Sequence, residues 1–164
     1  MRQHLLDELF SNGRSSVGAA SSDLKIEHVA TAKKVTKGWG EERWLVGERA
    51  SFGFKIIHIQ GGQKTSLQYH ERKEEANLVL NGSGLFIYTH EQSNKHLRKI
   101  HLGVGDVVHI LPGMVHRIEA KEDITLVEVS TPELDDVIRL EDDWHRGGGR
   151  IESEHSNQGY QNER

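Results

Sequence analysis

The chain has 164 residues, 21 Lys and Arg against 25 Asp and Glu for a formal charge of −4, and no cysteine. That length suits one domain burying roughly 70% of its unfolded surface, and the missing cysteines exclude disulfides, Cys-bound zinc, iron–sulfur centres and thiol nucleophiles. The slightly acidic balance argues against nucleic acid as partner, while the 11 histidines direct attention to metal or acid–base chemistry.

Residues 2–10 read as a short amphipathic helix, and the Ser/Gly/Ala-rich stretch Ser11 to Asp23 as a linker. Asp7 and Glu8 interrupt the apolar patch at the start, so no signal peptide is expected, and no run approaches the roughly 20 apolar residues of a membrane span. A cytoplasmic protein without membrane contact is the expectation. Division of the chain follows: 1–24 as helix and linker, 25–146 as the folded domain, and 147–164 as a disordered polar tail.

Between those limits the pattern is one of short apolar runs: Phe52–Gln60, Glu75–Leu80, Gly84–His90, Leu97–Leu102, Asp106–Leu111, His116–Glu119 and Ile124–Ser130. Each has strand length, and turn signals such as Gly61-Gly62, Asn81-Gly82, Gly103-Val104-Gly105 and Pro112-Gly113 separate them. The polar Glu91–Lys95 joins two runs as a hairpin would. Asp135–Leu140 reads equally as a last strand or a helical turn. The fold class is all-β, a sandwich or barrel.

Four positions can converge on a metal. Gln68 and His70 are two apart and share a strand face, Glu75 opens the next strand after a bend, and His116 heads a later strand past Pro112-Gly113. Two imidazoles, a carboxylate and an amide oxygen suit a divalent ion, zinc first, with manganese, iron, cobalt or nickel as alternatives.

The spacing of this set resembles the cupin family. Its first motif here is Gly62, five residues, Gln68-Tyr69-His70, four residues, Glu75, six residues, Gly82. Its second is Gly105, five residues, Leu111-Pro112-Gly113, two residues, His116, three residues, Ala120. Gln68 replaces the usual first His, Leu111 the first Pro, and Ala120 the final Asn. Within the cupins, Lys64-Thr65-Ser66-Leu67-Gln68-Tyr69-His70 is similar to a Lys-x-Ser-x-Gln-x-His segment of the mannose-6-phosphate isomerases, including the cupin domain of the type II enzymes. Lys37-Gly38-Trp39-Gly40 is similar to that family's Lys-Pro-Trp-Gly entry strand with Gly38 in place of Pro, the pair His116-Arg117 repeats its His-Arg, and Ile138-Arg139-Leu140-Glu141-Asp142-Asp143 resembles its closing segment.

The resemblance implies a double-stranded β-helix, or jelly-roll barrel, and aldose–ketose isomerisation of a phosphorylated sugar, mannose 6-phosphate to fructose 6-phosphate. It implies Gln68, His70, Glu75 and His116 as metal ligands. Lys64, Ser66 and Gln68 alternate, which places a cation and a hydroxyl in line with His70. Lys64 and Ser66, with Arg139 from the segment that resembles the family, are the expected substrate-binding residues, and Lys64, Arg139 and His58 the expected catalytic ones. Glu71 and Glu74 are further candidates for the base, and Arg117 faces the other side of its strand from His116. Three other functions fit the same residues: a non-catalytic sugar or sugar-nucleotide binding module, an iron oxygenase on His70, Glu75 and His116, and a metal-free sugar-nucleotide epimerase or isomerase. An exposed sheet edge would allow a homodimer.

Overall fold

The computed structural model describes residues 28–46, 50–90, 96–144, 146 and 148–151. The expected helix over 2–10 and the linker over 11–23 lie outside these residues, as does the 91–95 connection. The described chain starts with a 3-10 turn, Val29–Thr31, capped by the His28 ring, whose Nδ1 accepts from the Ala30 amide at 3.2 Å.

Strands follow in the order β1 (Lys33–Lys37), β2 (Gly40–Val46), β3 (Gly53–Ile59), β4 (Leu67–Tyr69), β5 (Glu75–Asn81), β6 (Gly84–Thr89), β7 (Arg98–Leu102), β8 (Val107–Ile110), β9 (Val115–Ala120), β10 (Ile124–Ser130), β11 (Val137–Glu141) and β12 (Gly149–Ile151). They form two six-stranded sheets, one ordered β1-β2-β3-β10-β5-β8 and the other β12-β11-β4-β9-β6-β7. All paired neighbours are antiparallel. From β3 onward the chain passes back and forth between the sheets, the winding of a jelly roll. The all-β expectation therefore holds, and β6 and β7 pair as the expected hairpin.

Asp135–Leu140, left open between strand and turn, contains β11. Gly149–Ile151 was expected in the disordered tail, yet these residues pair with Val137–Arg139 as β12. The β1–β2 hairpin carries no apolar alternation because two of its inward side chains are charged: Lys37 and Glu42 are buried, with Trp44 beside them. No helix among the described residues is long and apolar enough to cross a membrane.

Three central strands show how the interior is divided. Along β10 the inward residues are Ile124, Leu126, Glu128 and Ser130; along β5 they are Val79, Asn77 and Glu75; along β3 they are Ile59, Ile57 and Lys55. Each row thus runs from apolar to polar. Ile59, Ile124 and Leu126 are wholly buried and join Trp39, Val79, Phe86 and Ile118 in the apolar core. The other end of the same rows is a polar chamber. Because Leu126 is 0% exposed and Val129, on the opposite face, is 47% exposed, the two test this division. Leu126→Ala should cost about 2–5 kcal/mol and Val129→Ala no more than about 0.5 kcal/mol, read from urea unfolding.

Candidate metal centre

Strand pairing assembles the site. Gln68 on β4 lies opposite His116 on β9. His70 follows β4 directly, and its carbonyl accepts the Gly113 amide at 2.7 Å, which ties it to the Pro112-Gly113 turn. Glu75 is the first residue of β5 in the facing sheet.

The side chains of His70, Glu75 and His116 meet with their ligand atoms all within 4.8 Å of one another. His70 Nε2 is 3.7 Å and His116 Nε2 3.5 Å from the Glu75 carboxylate, and the two imidazole centres are 5.3 Å apart. All three residues are buried. Each imidazole turns Nδ1 to a backbone carbonyl, His70 to Asp136 and His116 to Met114 at 3.0 Å. Nδ1 therefore carries the proton, and Nε2 offers its lone pair to the space beside Glu75. His70 Nε2 is a buried nitrogen with no hydrogen-bond partner. Burial pushes the His70 imidazole down to about 4, outweighing the pull of Glu75, so at neutral pH it is uncharged. A neutral, unpartnered nitrogen beside a second imidazole and a carboxylate is a donor set for a divalent transition metal.

Gln68, the fourth expected ligand, faces the same cavity. Its Oε1 accepts from the Ser66 hydroxyl at 2.7 Å. The cavity measures about 70 Å³, and Trp39, Ile57, Ser66 and Asn77 are among its walls. An apolar cavity of about 150 Å³ holds benzene, so this one admits an ion and a few ligand atoms.

The remaining expected residues are placed differently. Lys64 lies ahead of β4, which begins only at Leu67, so the alternation that brings Ser66 and Gln68 inward does not extend to it. Its Nζ pairs with Asp143 at 2.7 Å, and the side chain is 35% exposed. Arg139 is buried on β11, in register with Gln68 and two residues from Val137, which lines the cavity. His58 is not brought to the cavity: Ile57 and Ile59 point inward, so it points away, with Nδ1 3.2 Å from Thr125 Oγ1 and Nε2 4.0 Å from Asp123. Glu71 and Glu74 form exposed pairs with Arg150 at 2.5 Å and His109 at 2.6 Å. Arg117 donates Nε and Nη2 to the Thr65 carbonyl at 3.0 and 2.8 Å, clamping the approach to β4.

A row of buried charges beside the triad was not foreseen. Lys73 Nζ donates to Glu75 Oε2 and, at 2.9 Å, to Glu128 Oε1. Lys55 lies 3.5 Å from Glu128 and 3.6 Å from Glu42, with Nζ 4.4 Å from the centre of the Trp44 ring. Lys37 stands 3.9 Å from Glu42 on the far side. Asn77 Nδ2 donates to Glu75 Oε1 at 3.4 Å. In register, Trp44, Lys55, Glu128 and Asn77 sit side by side across β2, β3, β10 and β5. Burial works against the ionised form of Glu75, yet Lys73 and the nearby imidazoles outweigh it and hold the carboxyl well below the usual carboxylate range. Burial likewise opposes the Lys73 ammonium, and Glu128 and Glu75 more than reverse that. The signal was present in the strand phase: Glu128 is two residues from Leu126, and Lys55 two from Ile57, on the inward face.

A family model described as "Mannose-6-phosphate isomerase C-terminal" matches residues 25–142. No curated protein matches the sequence. Among solved structures, the capsular polysaccharide assembling protein CapF from Staphylococcus aureus superposes with a TM-score of 0.58 at 19% identity, over 67% of this chain and 34% of that one. Lactobacillus farciminis oxalate decarboxylase, solved as a formate complex, gives 0.59 at 21% identity, over 70% of this chain and 35% of that one. Ectoine synthase from P. lautus gives 0.59 at 15% identity, over 68% and 80% respectively. The chain thus covers about a third of the first two, and identities this low speak for a shared fold alone.

Proposed function

The chain belongs to the mannose-6-phosphate isomerase C-terminal family, and from that premise we propose that it is a metal-dependent aldose–ketose isomerase acting on a sugar phosphate, with mannose 6-phosphate as the first substrate to test. The observation that carries this reading is the buried, unpartnered His70 Nε2 facing Glu75 beside His116. These three residues would hold the ion, zinc first. When bound, such an ion stabilises the negative charge that develops on neighbouring sugar oxygens as a proton moves between C1 and C2.

The chain's own groups would do the rest. Gln68 and Ser66 present an amide and a hydroxyl to the cavity, where they can orient sugar hydroxyls. With about 70 Å³ of space, only the end of the sugar bearing C1 and C2 enters. The phosphate stays outside, where partly exposed Lys64 can exchange Asp143 for it. Besides Glu75, the carboxylates facing the cavity among the described residues are Glu42 and Glu128, and one of these would take the proton. Metal-loaded protein should form fructose 6-phosphate from mannose 6-phosphate and take up deuterium at C2 from D₂O. Of Glu42→Gln and Glu128→Gln, the one that removes the base should lose both. Absence of turnover and exchange with hexose, pentose and heptose phosphates, in metal-loaded protein, would replace this reading with a sugar-binding module.

A second reading is favoured by the triad itself. Two His and one carboxylate with open positions is also the ligand set of non-haem iron oxygenases. Oxygen uptake by the Fe²⁺-loaded protein separates it from the isomerase.

A further inference from the structure

We propose that Arg150, on the last strand, is a positioning residue for the metal centre: its guanidinium braces the bend after His70 against Asp136 and so keeps the His70 imidazole aimed at Glu75. The inference rests on His70, Glu75 and His116 being a metal centre and is independent of which sugar, if any, is turned over. The strand that carries Arg150, β12, lies beyond residues 25–142, the stretch that the family model matches.

β4 ends at Tyr69, so His70 is the first residue past its ladder. From there a bend, residues 71–74, crosses to Glu75 at the start of β5 in the facing sheet. Two of the three ligands thus flank this bend, and whatever holds the bend sets how they face each other. Asp136 holds it. Its backbone carbonyl accepts His70 Nδ1–H, and its Oδ2 accepts the Arg72 and Lys73 amides at 2.6 and 3.0 Å. The second carboxylate oxygen, Oδ1, is buried without a hydrogen-bond partner. Facing it at 3.9 Å is Arg150 Nη1, while Nη2 of the same group donates to Glu71 Oε2 at 2.5 Å. Glu71 opens the bend, so one planar cation ties its first residue to the carboxylate that holds the next two. Strand register brings it there: Arg150 lies opposite Ile138 and Ile138 opposite Tyr69, and the β11–β12 ladder ends at Val137, next to Asp136. Arg150 is 52% and Glu71 49% exposed, and an exposed ion pair contributes little to the folded state. Its effect falls instead on the orientation of His70. Outer partners that orient a ligating imidazole are worth about 10–100-fold in metal affinity.

The test uses the full chain with Co²⁺ as the probe, in wild type, Arg150→Ala and Arg150→Lys. Charge and positioning act in opposite directions here. Loss of a nearby positive charge by itself tightens binding of a cation, whereas loss of positioning weakens it. Arg150→Ala should weaken Co²⁺ binding about tenfold and alter the visible spectrum of the bound ion. In the metal-free protein the same substitution should move the urea midpoint by less than about 0.5 M. Hydrogen exchange at the Arg72 and Lys73 amides should quicken there, since both donate to Asp136. Arg150→Lys keeps a cation between Glu71 and Asp136 but loses the fork, so it should return Co²⁺ affinity to within about threefold of wild type and restore the spectrum. Four outcomes would overturn the proposal and leave the metal centre standing: Co²⁺ binding unchanged or tighter in Arg150→Ala, an unaltered spectrum, a midpoint shift beyond that range, or Arg150→Lys no better than Arg150→Ala. A wild-type chain that takes up no Co²⁺ would overturn the metal centre and this inference with it.

Discussion

Alanine at His70 or His116 should strip the protein of its metal, from about one divalent ion per chain to essentially none, measured by elemental analysis after gel filtration. Each substitution removes one of two imidazole donors, and among the described residues the cavity offers no other imidazole to replace it. His109→Ala should keep full occupancy, because that ring is exposed and pairs with Glu74 at 2.6 Å. Stability provides a second measure. An ion present at about a hundred times its dissociation constant adds about 2.7 kcal/mol to the folded state, so a chelator should lower the wild-type melting temperature and leave both triad variants unmoved. Full metal content in both variants would remove the centre from this site.

The second large effect is expected at a turn. Gly82 has φ +79, and a Cβ there would fall 2.0 Å from the Asp123 carbonyl oxygen and 2.9 Å from Ile124 Cα. Both are backbone atoms at the start of β10, so relief would require the strand to shift and carry Ile124 and Leu126 with it. Gly82→Ala should therefore cost more than about 4 kcal/mol, in the range reserved for core disruption. Gly105, at φ +94 with no atom within 4 Å of its added Cβ, isolates the cost of the backbone conformation itself. Gly105→Ala should cost only about 1–2 kcal/mol. Urea unfolding of the two variants decides it; equal losses would mean that close packing is not what requires glycine at position 82.

What was legible in the sequence follows from these same physical terms. The strands β3, β5, β6 and β10 were legible as apolar runs of strand length bounded by turn residues such as Gly61-Gly62 and Asn81-Gly82. The triad was legible from its spacing, since strand ends that meet at one place leave ligands at fixed separations. Lys55 and Glu128 were not read as site residues, because a charged side chain is ordinarily solvated and only its phase relative to Ile57 or Leu126 shows that it points inward, and Lys73 lies in the bend before β5, where no strand phase applies. The same phase argument removes His58, which lies between two inward isoleucines. Lys64 was placed on the wrong face by extending alternation past the start of β4, and no side-chain pattern marks where a three-residue strand begins. The strand β12 is equally short, and its residues Gly149 and Arg150 bury nothing that would signal it.

The change from apolar to polar along β3, β5 and β10 has a consequence for how such a protein can diverge. Each strand keeps its place in the fold through one end and its chemistry at the other, so the two are inherited on the same element yet answer to different demands. Ile59, Val79 and Leu126 hold the sheets together whatever lies a few residues away, and Lys55, Asn77 and Glu128 can be exchanged as a set without new strand partners or a new register. Ion pairs buried in this way often add little to stability. A lineage could therefore rewrite the chamber many times while the winding of the chain stayed the same, and sequence identity would fade first where the chemistry changes.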